Sequence, residues 1–68
     1  MVYKIRTLSG NNIIINETVE NVNDIKKIIE NKYGTPINFQ RLLYNGKILN
    51  DLPPNNSIIY LVYKLLGG

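Results

Sequence analysis

The sequence predicts an α+β fold in which a mixed sheet of four to five strands packs on one helix. Three observations carry that expectation: two pairs of apolar segments joined by turn formers, one stretch with apolar residues at helical spacing, and a last apolar segment free to lie parallel to the first. Val2 to Thr7 and Ile13 to Glu17 are the first pair, separated by Leu8-Ser9-Gly10-Asn11-Asn12, and read as a β-hairpin. Tyr3 and Ile5 share one face of the first strand while Lys4 and Arg6 share the other, the period-two alternation of a half-buried sheet. Leu8 stands outside this division, at the mouth of the turn, where burial is geometrically difficult.

Asn21 is placed to cap the amides of a starting helix, and Asp24 falls in its positive first turn. Val22, Ile25, Ile28, Ile29 and Tyr33 then recur at helical spacing between Lys26, Lys27, Glu30 and Lys32, giving an amphipathic helix of about three turns. Gly34 ends it by taking the left-handed conformation, and Pro36 prevents its continuation. Arg41-Leu42-Leu43-Tyr44 and Lys47-Ile48-Leu49 flank Asn45-Gly46, the dipeptide that favours a type I′ hairpin turn. Pro53-Pro54-Asn55-Asn56 reads as a rigid connector without hydrogen bonds, and Ile58 to Tyr63 as the final strand.

Alternation puts Ile59, Leu61 and Tyr63 on one face of that strand and Ile58, Tyr60, Val62 and Lys64 on the other. If a lone helix covers one side of the sheet, the other side faces water and is ordinarily polar. Tyr60 and Val62, with the adjacent Leu43 and the loop residue Leu8, would instead form an exposed apolar patch. Such a patch reads as a partner-binding surface, as a dimer contact, or as ordinary scattered exposure.

Composition narrows the function classes. Sixty-eight residues make one domain with little interior to spare for a buried active site. Without cysteine there is no disulfide or thiolate chemistry, and without histidine the usual general base and metal ligand are missing. Apolar runs of three to six residues are far too short to span a bilayer, which takes about 20. No signal segment opens the chain, so a soluble intracellular protein is expected. A net charge of +3 favours acidic partners, but no basic stripe interleaved with aromatics follows Lys26-Lys27, so no nucleic-acid partner is expected. Glu20 and Asp24 offer a weak cation site, and Ser9 or Ser57 a nucleophile, but no base stands ready to activate either serine. No enzyme, cofactor or metal is expected.

The sequence closes on Leu65-Leu66-Gly67-Gly68. Glycine lacks Cβ, so its backbone can enter a narrow channel and approach a catalytic centre closely. The tail reads as a mobile arm carrying a reactive carboxylate on Gly68, or as a frayed end.

Thr7-Leu8-Ser9-Gly10, Gln40-Arg41-Leu42, Gly46-Lys47 with Leu49 and Asp51, and Leu61-Val62 with Leu65 and Gly67-Gly68 resemble the ubiquitin family in order and nearly in register. Lys26, Ile29, Lys32, Gly34 and Pro36 match as well. The resemblance implies a β-grasp body over residues 1–64 and a conjugation tail over 65–68. It implies a modifier whose terminal carboxylate is adenylated with ATP by an activating enzyme, passed to cysteines as a thioester, and joined by ligase action to lysines of target proteins. Gly68 and Gly67 would form the conjugation terminus, and Arg41, Lys64, Leu65 and Leu66 would contact the activating enzyme. Leu8, Leu43, Tyr60 and Val62 match the patch read by ubiquitin-binding domains, with Tyr60 where ubiquitin has a histidine. Lys47 matches the acceptor of chains that send substrates to the proteasome, and Lys32, Lys26 and Met1 match further acceptors. Lys26 and Asp51 match a pair that interacts inside ubiquitin, which favours a structural role for Lys26. The unconjugated chain is expected to be a monomer of the cytoplasm and nucleus, with no membrane partner.

Departures from the family pattern matter equally. Between Asp51 and Ser57 the chain has only Leu52-Pro53-Pro54-Asn55-Asn56, where ubiquitin has a longer segment with core-filling side chains and an acceptor lysine. Losing one buried Leu or Ile typically costs about 2 to 5 kcal/mol unless Leu52 and the prolines refill the space. Arg6 and Asn11 replace two more acceptor lysines, and Lys64 and Leu66 replace two arginines of the tail. The alternative that these departures leave is a non-conjugated binding module or decoy that competes for ubiquitin receptors.

Overall fold

A computed structural model describes residues 1–63 and builds them into a β-grasp fold, a five-stranded mixed sheet covered on one face by a single long helix. The strands are β1 (Tyr3–Thr7), β2 (Asn12–Ile15), β3 (Gln40–Tyr44), β4 (Lys47–Ile48) and β5 (Ile58–Tyr63), in the spatial order β2-β1-β5-β3-β4. The first and last strands pair in parallel, Ile5 opposite Ile59 and Thr7 opposite Leu61, and every other pairing is antiparallel. The helix α1 spans Val22–Tyr33, and a 3₁₀ turn over Ile37–Phe39 leads from it into β3. β1 and β2 are shorter than the apolar pattern suggests by Val2 at one end and by Asn16 and Glu17 at the other.

Local chemistry sets the element ends as expected. Asn21 Oδ1 accepts a hydrogen bond from the Asp24 amide at 2.9 Å, satisfying one of the free donors of the first helical turn. Gly34 sits at φ 75°, and its N–H bonds to the Glu30 carbonyl, closing the helix. Asn45 and Gly46 take φ 53° and 77°, the paired positive values of a type I′ turn.

Tyr3, Ile5, Ile13, Ile15, Ile25, Ile29, Leu42, Ile59 and Leu61 fill the space between sheet and helix, with Val19, Val22 and Leu49 at its edges. Tyr33 and Tyr63 do not join them. Both are exposed: Tyr33 is the last residue of α1 and Tyr63 the last of β5, where the packed layer runs out.

The connector before β5 corrects the reading of a segment without hydrogen bonds. The buried Tyr3 hydroxyl donates to the Pro53 carbonyl at 2.7 Å, the Val2 amide donates to Asn55 Oδ1 at 2.6 Å, and the Asn56 amide donates to the Val2 carbonyl at 2.7 Å. Proline lacks only the donor; its carbonyl still accepts. Leu52 packs against the core and Pro53 is buried, so the short segment closes this end of the core. Tyr3 is the residue that ties it down, an assignment the sequence reading missed. A tyrosine in phase with a core isoleucine was the available signal, because a buried phenol needs a polar partner.

Candidate functional site

The uncovered face of the sheet is built by the strand positions out of phase with the core. β1 contributes Lys4 and Arg6, β2 Asn12 and Ile14, β5 Ile58, Tyr60 and Val62, β3 Arg41 and Leu43, and β4 Ile48. Register arranges them in rows. Asn12, Arg6, Tyr60, Leu43 and Ile48 run side by side across all five strands, and Val62 faces Arg41 in the next row.

Of the patch residues named from sequence, Leu43 and Tyr60 are therefore direct cross-strand partners, with Val62 two residues along β5. Directly opposite side chains lie about 4.5 to 5.5 Å apart at Cβ. Leu8 follows Thr7, the β1 residue paired with Leu61, and so leaves the sheet at the level of Val62. The turn that carries it is fixed from within. The Thr7 amide donates to the Asn11 carbonyl at 2.9 Å, the Gly10 amide to the Thr7 carbonyl at 3.1 Å, and the Asn11 amide to Thr7 Oγ1 at 3.1 Å. Gly10 supplies the positive φ of 90° this geometry requires, and Leu8 is left 80% exposed at the rim of the patch. Leu43 and Val62 are half-buried and Tyr60 exposed.

Ile48 belongs to this surface although the sequence reading left it out. The two-residue turn at Asn45-Gly46 forces Leu43 opposite Ile48, so the register was available from the turn alone.

Charge on this face has one sign. The strand positions of the face hold Lys4, Arg6 and Arg41 and no acidic residue; Lys47 pairs with Tyr44 in phase with the core, and Glu17, Glu20, Asp24, Glu30 and Asp51 all lie outside the five strands. Arg6 Nε donates to Asn12 Oδ1 at 3.3 Å, and Arg41 is exposed beside Val62.

The lysines divide by surroundings. Lys47 is exposed next to the hairpin turn, and Lys32 Nζ lies 3.6 Å from Glu17 Oε2, the one ion pair among the described residues. Lys26 is half-buried and forms no ion pair with Asp51, which corrects the pairing the resemblance implied. Asp51 is exposed, and Lys26 serves the fold through its backbone: Gln40 Nε2 donates to the Lys26 carbonyl at 2.9 Å and to the Thr35 carbonyl at 3.0 Å. Met1 is exposed, beside the Val2 contacts to Asn55 and Asn56. Lys64, Leu65, Leu66, Gly67 and Gly68 lie outside the described residues.

Comparison with known proteins gives concordant matches. A model of the ubiquitin family matches residues 4–54. The chain is 34% identical to the ubiquitin-like protein NEDD8 of Dictyostelium discoideum, over its whole length and 99% of that protein. It is 34% identical to ubiquitin-like protein 1 of Schizosaccharomyces pombe and 37% identical to the NEDD8-like protein RUB3 of Arabidopsis thaliana, in each case over the whole chain and 97% of the relative.

Proposed function

Since this chain belongs to the ubiquitin family, we propose that it is a protein modifier, activated at the Gly67-Gly68 carboxylate and joined by an isopeptide bond to lysines of target proteins. The reading rests on the end-to-end match to ubiquitin-like relatives, which runs through the body and into the tail. In the first step a carboxylate oxygen of Gly68 attacks the α-phosphorus of ATP and pyrophosphate leaves. A cysteine thiolate of the activating enzyme then displaces AMP to give a thioester. After transfer between cysteines, a target lysine amine attacks the thioester carbonyl, thiolate departs, and the amide remains.

Receptors read the modifier through Leu8, Leu43, Tyr60 and Val62, with Ile48 extending the surface and Arg41 at its border. An apolar centre framed by cations suits receptor surfaces in which acidic residues ring an apolar core. Arg41, Lys64, Leu65 and Leu66 contact the activating enzyme. Lysine and leucine at 64 and 66 remove the planar forks with which arginine grips carboxylates, so the cognate enzyme is one that accepts a single flexible ammonium there. Lys47 is the leading acceptor for chains of this modifier, with Lys32, Lys26 and Met1 as further acceptors. Work in the cytoplasm and nucleus, including degradation and signalling roles, completes the proposal, and an amino-terminally tagged fusion imaged in cells checks the location.

Conjugation is tested by incubating the protein with ATP, a conjugating enzyme and the activating enzymes for ubiquitin and for NEDD8 in turn. The expected result is an adduct that dithiothreitol removes and that deletion of Gly68 abolishes. If every such enzyme leaves the chain unmodified while ubiquitin-binding domains still bind it, the chain is a non-conjugated competitor for those receptors.

A further inference from the structure

Asn45 is the one asparagine in the chain that precedes a glycine. It stands exposed at the tip of the β3–β4 hairpin at φ 53°, and Gly46 follows at φ 77°. Hydrogen bonds engage the side chains of Asn11, Asn12, Asn21 and Asn55, but none among the described residues engages that of Asn45. With Lys47 and Asn50 it lines an open hollow of about 310 Å³, so water reaches its side-chain amide.

We propose that Asn45 is a self-modification site, converted through a cyclic imide to isoaspartate and aspartate, and that the isoaspartate form unpairs β4. The Gly46 backbone nitrogen attacks the Asn45 side-chain carbonyl carbon, a C–N bond forms, and the Cγ–Nδ2 bond breaks. Nδ2 leaves as ammonia, taking the proton that the Gly46 nitrogen gives up. Water then adds across either C–N bond of the imide. Opening at the side-chain carbonyl yields aspartate, and opening at the main-chain carbonyl yields isoaspartate. Water is the only reagent consumed.

Position selects this residue. A glycine nitrogen has no Cβ beside it to hinder the attack, whereas every other asparagine here precedes a residue with a side chain. Ring closure needs the Asn45 backbone to rotate out of the type I′ geometry, so the turn must open first. β4 makes that opening easy: it has two residues, both exposed, lies at the sheet edge and pairs only with β3. Isoaspartate carries the main chain through its side-chain carbons and lengthens the turn by one methylene. The two pairs that hold β4, Tyr44 with Lys47 and Leu43 with Ile48, are set by a two-residue turn, and lengthening it breaks both. Ile48 then leaves the row beside Leu43, and a carboxylate stands next to Lys47 on a hairpin that has no acid of its own.

The test incubates the unconjugated protein at physiological temperature, folded in buffer or unfolded in guanidinium chloride, and follows amide loss by peptide-mapping mass spectrometry. In the folded protein Asn45 should convert ahead of every other asparagine. Isoaspartate, read by methyl transfer from S-adenosylmethionine with an isoaspartyl methyltransferase, should exceed aspartate. Unfolding should speed the conversion about tenfold or more, a measure of how far the closed turn restrains ring closure. The isoaspartate form, separated by ion exchange, should lose the nuclear Overhauser contact between Leu43 and Ile48. It should also lose hydrogen-exchange protection of the Leu49 amide, which otherwise donates to the Leu42 carbonyl at 2.9 Å. Asn45→Asp carries the same charge on an unaltered main chain, tolerates the positive φ, and should keep both signals. Conversion led by another asparagine, no conversion of Asn45 in the folded protein, an isoaspartate form that keeps the Leu43–Ile48 contact, or equal losses in Asn45→Asp would overturn the proposal. No activating enzyme or receptor takes part, so the outcome is separate from the fate of the Gly68 carboxylate.

Discussion

Gln40 links three segments through one amide. Both of its donor protons go to carbonyls, one on the helix at Lys26 and one on the loop at Thr35, and its Oε1 is buried without a partner among the described residues. Replacing it with leucine keeps the bulk and removes both bonds, leaving the Thr35 carbonyl without the Gln40 donor and the Lys26 carbonyl with its helical bond alone, so Gln40→Leu should destabilise the fold by about 1 to 3 kcal/mol, read as a lower urea midpoint at unchanged m-value. On the other face Leu43 stands opposite both Tyr60 and Ile48, in the middle of the apolar stretch of the longest cross-strand row. Binding energy concentrates at such central side chains. Leu43→Ala should weaken binding to a ubiquitin-binding domain by more than about 1 kcal/mol, or roughly fivefold, in calorimetry, with little change in melting temperature because the side chain is only half-buried. Equal affinity for the variant and the parent would remove Leu43 from the receptor surface.

Elements in this chain are defined at their ends more than along their lengths. The helix depends on Asn21, whose side chain caps the Asp24 amide, while Asp24 Oδ2 in turn accepts from the Glu20 amide at 3.0 Å. Asn21→Ala should cost about 1 kcal/mol of stability, measurable by thermal denaturation, with the first turn of α1 losing hydrogen-exchange protection before the rest. Cap, apolar spacing and terminating glycine were all legible, because each is a local preference acting within one turn. The 3₁₀ turn over Ile37–Phe39 was not, since no short-range signal separates three such residues from a loop. The Pro53–Asn56 segment was misread for a related reason. Its prolines announce what they cannot donate, but which carbonyls accept depends on a tyrosine 50 residues away.

At the scale of the whole molecule, Tyr3 joins the amino-terminal strand, the core and the last connector. It is fully buried, and burial raises its phenol above the ordinary value of 10.0 by disfavouring the charged form. The folded state thus holds this proton more tightly than the unfolded chain. Its contribution to stability is complete below about pH 10 and is lost as pH rises through the folded-state value. Denaturation followed by circular dichroism should show that alkaline loss, and Tyr3→Phe should reduce it while lowering stability at neutral pH by about 1 kcal/mol for the missing bond to Pro53. An alkaline slope unchanged in Tyr3→Phe would assign it to other groups. The sequence by itself determined the fold class, the order of elements, the hairpin turn at Asn45-Gly46 and the helix ends, because periodicity and backbone preference are properties of neighbours in the chain. Only the tertiary structure decided that Lys26 does not pair with Asp51, that Leu43 stands opposite Tyr60, and that Lys4 lies between Ile14 and Ile58. Those outcomes depend on register between distant strands, where the gain from packing one face of the sheet fixes every residue on the other.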